Sequence, residues 1–166
     1  MTAWIILAAV ALQRISELVL ARRNTAALLA RGATESGAGH YPFIVAECNG
    51  LLSGYAYAGR LYERAAYRWV AEATVYVAQD RHRRGIGRAL YRSLIASLRE
   101  QGFQAVVGKI TLPNPASVTL HESFGFVRSG VFTKVGFKHG KWHDVGLYQL
   151  DLGSRPTSPE ETRPFA

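Results

Sequence analysis

A glycine-rich turn between a strand and a helix is the feature that most constrains this chain. Residues 73–77 form an alternating apolar segment, which predicts a strand, and residues 88–98 repeat apolar side chains at helical spacing. Between them lies Arg83-Arg84-Gly85-Ile86-Gly87-Arg88. Glycine permits positive φ and a close approach of ligand to backbone, and the free amides and dipole of a helix start favour an anion. The run therefore predicts a cradle for phosphate.

The glycine spacing excludes two common phosphate motifs. The P-loop pattern Gly-x-x-x-x-Gly-Lys-Ser/Thr does not occur. A dinucleotide fingerprint needs a third glycine, and Leu90 stands at that position. Taken alone, the remaining Gly-x-Gly pair is equally typical of a tight strand–helix turn that binds nothing.

Composition indicates one domain in a reducing compartment. The chain has 166 residues, of which 48% are apolar, so it can bury a core. Its single cysteine, Cys48, excludes an internal disulfide, and no Cys/His cluster has zinc spacing. We expect a cytoplasmic protein without a metal.

The charge balance is basic, with a formal net charge of +8 and a pI near 10.0. A charge of this sign attracts phosphates, anionic metabolites or nucleic acid. The sign alone does not indicate nucleic acid, because solvated arginines produce the same balance. We expect a small anionic ligand and no nucleic-acid partner.

The first 41 residues differ in character from the rest. Trp4, Leu7, Ala11, Ile15 and Leu18 recur at spacings of three and four, which predicts one long amphipathic helix ending near residue 30. The apolar run is interrupted by charge and is too short for a membrane span. Two interpretations stay open: a helix packed on the domain, or one associated with a membrane through residues 1–30. A small-residue linker follows at 32–39.

The rest of the chain predicts a mixed sheet. A hairpin is expected over 43–58, strands over 72–77 and 104–110, and a helix over 114–124. Two closing strands are expected at 125–134 and 142–152, with a loop at 136–141. The strand–helix–strand unit in the middle favours helices on both faces of the sheet. Residues 153–166 are predicted to be a disordered tail.

Several segments together resemble one family. His82-Arg-Arg-Gly-Ile-Gly87 resembles the Gln/Arg-x-x-Gly-x-Gly/Ala pyrophosphate loop of GNAT acetyltransferases, with His82 in place of glutamine or arginine. Residues 71–77, 112–126 and 136–146 resemble the phosphinothricin N-acetyltransferase family of that superfamily. The resemblance covers about residues 42–152. It implies an α/β (α+β) fold with a mixed, mostly antiparallel central sheet and helices on both faces.

The resemblance implies that acetyl-CoA is the acetyl donor. Its pyrophosphate would lie on the glycine turn, and its pantetheine arm would pair with a strand where two parallel strands splay apart. Asn114 would reach back to the cofactor. The residues expected to bind acetyl-CoA are Val75, Tyr76, Val77, Arg83, Arg84, Gly85, Ile86, Gly87, Arg88 and Asn114.

The acceptor is then an amine, which must lose a proton before it attacks a thioester. Glu72 stands where the family places its acidic residue, and we expect it to be the base; a strand-end glutamate in solvent is the alternative. His121 occupies the position of a tyrosine in many GNAT enzymes, so it is expected to protonate the departing thiolate. A helix histidine that only packs or caps is the other interpretation.

The resemblance implies a small zwitterionic acceptor with a second anionic or strongly polar end. Phosphinothricin and methionine sulfone or sulfoximine have this shape. Guanidinium groups suit carboxylates and phosphinates, and the loop before Glu72 supplies two arginines among aromatic residues. The residues expected to bind the acceptor are Arg60, Tyr62, Glu63, Arg64 and Tyr67.

Residues 1–41 depart from the family, whose chains begin with a strand and two helices. Instead, residues 18–24, 29–33 and 39–42 resemble the amino end of bacterial isoprenylcysteine carboxyl methyltransferase-like proteins, which implies a fusion near Tyr41. Loss of the usual covering elements would expose sheet surface and favour a homodimer.

Three functions are compatible with the sequence. The leading hypothesis is an N-acetyltransferase acting on a phosphinothricin-like amino acid. A GNAT enzyme with another amine acceptor, such as a peptide N-terminus, is the second. A GNAT remnant that binds CoA without catalysis is the third.

Overall fold

The structure is a computed structural model that describes residues 41–48 and 51–164. Six strands form one sheet: β1 (Phe43–Cys48), β2 (Leu51–Arg60), β3 (Val70–Val77), β4 (Ala105–Thr111), β5 (Val127–Lys138) and β6 (Lys141–Asp151). Their order across the sheet is β1-β2-β3-β4-β6-β5. Among these strands β3 and β4 are the one parallel pair. The predicted mixed, mostly antiparallel sheet is confirmed.

Two α-helices follow the two parallel strands: α1 (Ile86–Glu100) and α2 (Pro115–Glu122). The buried positions of α1 recur every three or four residues, as expected of an amphipathic helix; they are Leu90, Tyr91, Leu94, Ile95 and Leu98. This stripe packs on a sheet surface made largely of buried alanines, namely Ala56, Ala58, Ala71 and Ala73. Because alanine is short, α1 can lie close to β2 and β3.

Both described helices lie against the same face of the sheet, so the helix expected on the other face stays a prediction. Gly108 of β4 points toward His121 of α2, and His121 in turn contacts Tyr91 of α1. The long helix predicted for the amino terminus, with its linker, lies outside the described residues. In 41–48 and 51–164, no helix is long and apolar enough to cross a membrane.

The β5–β6 hairpin is longer than the sequence predicted. The loop expected at 136–141 is wrong, because β5 continues to Lys138 and Gly136 pairs with His143 inside the ladder. His139 and Gly140 form the turn with φ of 51° and 74°. Two successive positive φ values are typical of the tight type I′ turn.

The carboxy-terminal tail has no helix or strand from residue 152 to 164. The sequence predicts disorder for this segment, yet several hydrogen bonds join it to the domain. The indole nitrogen of Trp69 donates to the carbonyl of Glu160 at 2.8 Å, and Gln101 Nε2 donates to the carbonyl of Arg163 at 2.9 Å. A cavity of about 390 Å³ lies between the tail, the sheet and the segment 61–70.

Candidate active site

β3 and β4 separate along their length, and the gap between them is the centre of the candidate site. Their parallel pairing runs from Val70 and Ala105 to Ala73 and Gly108, and it stops there. Beyond that point residues 74–77 pair with β2, and residues 109–111 pair with β6. In the described part of the chain, the facing edges of these two segments have no strand partner. Their backbone groups can therefore hydrogen-bond an extended, amide-bearing ligand.

The glycine turn lies at the end of β3 that borders this gap. Gly85 is the N-cap of α1 and has φ of 79°, a left-handed conformation that glycine adopts without strain. His82 Nε2 lies 3.1 Å from the carbonyl oxygen of Val77 and must donate, since a carbonyl only accepts. His82 thus ties the turn to β3.

The start of α1 carries positive potential. The first intrahelical bond runs from the amide of Ala89 to the carbonyl of Gly85, so the amides of residues 86–88 remain available to a ligand. Arg83, Arg84 and Arg88 are exposed around them, and the first turn contains no acidic residue. Free amides, helix dipole and guanidinium groups together fit a diphosphate.

Asn114 has a local role that the sequence did not predict. Its Oδ1 accepts a hydrogen bond from the amide of Ser117 at 3.1 Å, so it is the N-cap of α2. Asn114 is exposed. This capping bond uses the oxygen and leaves the amide nitrogen available to donate to a cofactor.

Glu72 forms an ion pair with a lysine of the neighbouring strand. Its Oε2 lies 2.6 Å from Nζ of Lys109, and each side chain is about a third exposed. Glu72 stands beside Val107 in the last paired stretch, and Lys109 is the first β4 residue beyond that stretch. Glu72, the candidate general base, therefore lies at the closed end of the gap, and its carboxylate is held by a cation.

His121 is buried, with 4% of its surface exposed, and both ring nitrogens have partners. Nδ1 lies 2.8 Å from the carbonyl oxygen of Ser117, so Nδ1 carries the hydrogen. Nε2 is then the acceptor, and it takes a hydrogen bond from the hydroxyl of Tyr91 at 2.7 Å. An ideal Cβ at Gly108 would lie 2.4 Å from Nε2, so this ring position requires glycine on β4.

The surroundings of His121 favour its neutral form. Burial lowers the pKa of the His121 imidazole, and the bond to Ser117 opposes this in part. Burial likewise raises the pKa of the Tyr91 hydroxyl. At neutral pH the pair therefore consists of a neutral imidazole and an undissociated phenol.

The segment before β3 brings some predicted acceptor residues together and separates others. Tyr62 and Tyr67 meet edge to face with ring centroids 4.9 Å apart, and Lys109 Nζ lies 5.9 Å from the Tyr62 ring. Arg60 ends β2 instead of lying in the loop, and it forms an exposed ion pair with Glu63 at 3.3 Å.

Arg64 is placed differently from Arg60. It is exposed and begins the 3-10 turn Ala65–Tyr67. Within residues 41–48 and 51–164 it forms no ion pair. Its guanidinium is therefore available to an anionic ligand.

Sequence reasoning missed two residues of this site. Lys109 is the one charged residue in the otherwise apolar strand β4, and that anomaly was a usable signal. Tyr91 lies in the apolar stripe of α1, where nothing in the pattern separates it from core residues. No group of three His, Cys, Asp or Glu side chains in the described residues is placed to hold a metal ion.

A family model for the acetyltransferase (GNAT) domain matches residues 6–147. Phosphinothricin N-acetyltransferase of Streptomyces viridochromogenes is 47% identical over 124 residues, which cover 75% of this chain and 67% of that protein. The L-methionine sulfoximine/L-methionine sulfone acetyltransferase of Salmonella typhimurium is 38% identical, covering 68% of this chain and 66% of that protein. The chain thus spans about two thirds of the length of these curated relatives.

A solved structure supports the same relationship. The phosphinothricin acetyltransferase of Sinorhizobium meliloti, a GNAT protein solved in complex with AcCoA, superposes with a TM-score of 0.71 at 36% identity. The match covers 82% of this chain and 74% of that one.

Proposed function

This chain belongs to the GNAT family of acetyltransferases, and we propose that it moves an acetyl group from acetyl-CoA to the amino group of a small amino-acid-like acceptor. Phosphinothricin and methionine sulfone or sulfoximine represent that class, as the names of its relatives suggest. The observation that carries the proposal is the gap between β3 and β4, which has an anion-binding turn at one end and Glu72 at its base.

The donor side rests on two features of the chain. The amides of residues 86–88, with Arg83, Arg84 and Arg88, would hold the pyrophosphate of acetyl-CoA. The edge of residues 75–77 that faces the gap would pair with the pantetheine amides, as in the addition of a strand to a sheet. The free groups on that edge belong to Val75 and to the amide of Val77, because Tyr76 pairs with Tyr55 of β2 and the Val77 carbonyl accepts from His82. Acetyl-CoA supplies a thioester whose carbonyl carbon accepts the amine.

Glu72 is proposed as the base. An α-amino group has a solution pKa of about 8 and is largely protonated at neutral pH. Glu72 takes its proton, directly or through a water, and the free amine forms a bond to the acetyl carbon while the carbon–sulfur bond breaks. The ammonium thus loses two protons: the first goes to the Glu72 carboxylate, and the second, lost from the nitrogen as the amide forms, is transferred to the departing CoA thiolate.

His121 is proposed to relay a proton toward the departing thiolate. Its hydrogen bonds determine how it could do so. A neutral imidazole must receive a proton at Nε2 before it can give one, and that nitrogen now accepts the Tyr91 hydrogen. Tyr91 would then act as the positioning residue that fixes the tautomer. The alternative, that His121 only packs, is supported by its burial and by its ring contacts with Phe126 and Tyr148.

The acceptor would lie on the sheet face that carries Glu72. Arg64 is available to its anionic end, and Tyr62 and Tyr67 form an aromatic wall. In this scheme Arg60 and Glu63, which form an ion pair with each other, stabilise the loop.

A thiol-release assay tests this function. Purified protein with acetyl-CoA is expected to release free thiol when phosphinothricin or methionine sulfone is added, and not without an acceptor. Thermal stabilisation by CoA without thiol release from either acceptor would favour the CoA-binding remnant. Release with a short peptide alone would favour the peptide N-terminus as the acceptor.

We also propose that two copies associate through the β5–β6 hairpin. β5 is an edge strand, and the exposed apolar side chains of the hairpin region are Val127, Phe132, Val135, Phe137 and Trp142. An exposed apolar edge of this kind favours association. Light scattering after size exclusion should give a dimer for the wild type and a monomer for Phe137→Lys. A wild-type monomer would contradict the proposal.

The relationship of the amino-terminal segment to other proteins and the cellular compartment of the enzyme are both proposals. The resemblance of residues 1–41 to methyltransferase-like proteins stays a prediction, and the GNAT family model already matches from residue 6. A cytoplasmic enzyme is the proposal that suits an amino-acid acceptor and acetyl-CoA.

A further inference from the structure

The ion pair between Glu72 and Lys109 offers two opposite charges to one small ligand. Glu72 Oε2 and Lys109 Nζ lie 2.6 Å apart, and both side chains remain partly exposed. A pair that solvent can reach is worth little to stability, because each charge is nearly as well solvated apart as together. A ligand of matching charges can therefore separate the two at small cost.

The register of the sheet places Lys109 beside the reaction centre. Gly108 is the last residue of β4 that pairs with β3, and Lys109 follows it at the mouth of the gap. Successive side chains of a strand point to opposite faces. Since Gly108 points toward the helices, Lys109 projects to the other face, where it meets Glu72 and the Tyr62 ring.

An α-amino acid carries an ammonium and a carboxylate on the same carbon, so its own charges lie about as close together as those of this pair. If the ammonium replaces Lys109 on Glu72, the displaced lysine is left beside the carboxylate of the same ligand. Four alternating charges then replace two, and no charge loses its partner. A simple amine would take the place of Lys109 on Glu72 and leave the lysine unpaired.

We infer that Lys109 binds the α-carboxylate of the acceptor and makes the site selective for α-amino acids over amines. Arg64 is then left for the polar end of the acceptor side chain. The inference rests on the proposed acetyl transfer and assigns one half of its acceptor site. The competing role for Lys109 is purely local, to hold the Glu72 carboxylate in place.

Two acceptors that differ by one carboxylate separate these roles. Methionine sulfone is compared with 3-(methylsulfonyl)propylamine, the same molecule without its carboxylate. Lys109→Met keeps the aliphatic stem without charge, and Lys109→Arg keeps a cation. Arg92→Met is the matched control: it removes a charge of the same sign from an exposed position on α1, which packs on the opposite face of the sheet. The measurements are kcat and KM for both acceptors, and methionine sulfone binding to the CoA-loaded protein by NMR titration.

Lys109→Met should lower kcat/KM for methionine sulfone by about 10- to 100-fold, the worth of one charge-assisted hydrogen bond. The loss should appear mainly in KM and in the NMR Kd. The carboxylate-free amine should change by less than about 3-fold, so that the preference for methionine sulfone disappears. Lys109→Arg should keep most of the preference for methionine sulfone, and Arg92→Met should behave as wild type.

Equal losses for both acceptors would overturn the inference and leave Lys109 as a support for Glu72. Wild-type kinetics for Lys109→Met with methionine sulfone would overturn it while the proposed function stands. Binding of methionine sulfone that depends on Lys109, without acetyl transfer by the wild type, would leave the inference standing while the proposed function fails. If neither methionine sulfone nor phosphinothricin binds or reacts, both are rejected.

Discussion

At the scale of single residues, the site depends on contacts between groups far apart in the sequence. Three elements meet at one point: Tyr91 lies on α1, Gly108 on β4 and His121 on α2. The His121 ring contacts the other two residues, so its position depends on both. His121 fits against β4 because residue 108 has no side chain, and its tautomer is fixed by Ser117 and Tyr91. A substitution at any of these positions should therefore change the packing and hydrogen bonding of the others.

Gly108→Ala tests this dependence. The added Cβ would lie 2.4 Å from His121 Nε2, so the ring must move away from β4, which disturbs its bond to Tyr91. We expect a loss of about 1–3 kcal/mol in the free energy of unfolding, typical of overpacking a core, measured by urea denaturation. Gly59→Ala on β2 is the control, because nothing lies within 4 Å of its Cβ position. Equal stability of the two variants would contradict the contact.

The lowered pKa of His121 predicts a pH-dependent stability. The folded state disfavours the imidazolium, so the stabilisation is fully present above the unfolded pKa of about 6.5 and is lost as the pH falls through the lower folded pKa. Thermal unfolding of wild type and His121→Asn between pH 5 and 8 measures it. Acidification should destabilise the wild type more than the variant. Parallel pH profiles would show that His121 carries no such shift.

At the scale of elements, the carboxy-terminal tail is joined to the acceptor segment by a hydrogen bond and an ion pair. Trp69 and Arg68, which precede β3, contact Glu160 and Glu161 of the tail. Pro156 and Pro159 line the cavity between the tail and the sheet. The tail is thus positioned to order the segment that carries Tyr62, Arg64 and Tyr67.

Truncation of the chain after Gly153 should weaken acceptor binding and leave cofactor binding unchanged. Loss of the tail removes the bonds to Trp69 and Gln101, each worth about 0.5–1.5 kcal/mol, and loosens the acceptor segment. We expect a lower Tm and a higher acceptor KM, with the CoA Kd from calorimetry unchanged. A chain that ends at Pro164 is the control. A weakened CoA Kd with normal acceptor KM would refute this division.

At the scale of the whole molecule, local pattern predicted the elements well and their mutual contacts poorly. The strand, turn and helix from Val70 to Glu100 follow from periodicity and glycine placement. The pairing of Glu72 with Lys109 depends instead on the parallel register of β3 and β4, which no local pattern sets. The sequence predicts a loop at 136–141, yet Gly136 pairs with His143 in the β5–β6 ladder, directly after an irregularity in the register that no local pattern sets.

The central claim is that Glu72 deprotonates an amino-acid acceptor at the gap between β3 and β4. The most direct test is the pH profile of kcat/KM for Glu72→Gln with methionine sulfone, with Glu100→Gln as the control on the far end of α1. Loss of a general base should lower the rate at pH 7 by about 10²- to 10⁴-fold. The deficit should shrink as the pH passes the pKa of the acceptor amine. A Glu72→Gln variant that turns over like the wild type at every pH would contradict the claim.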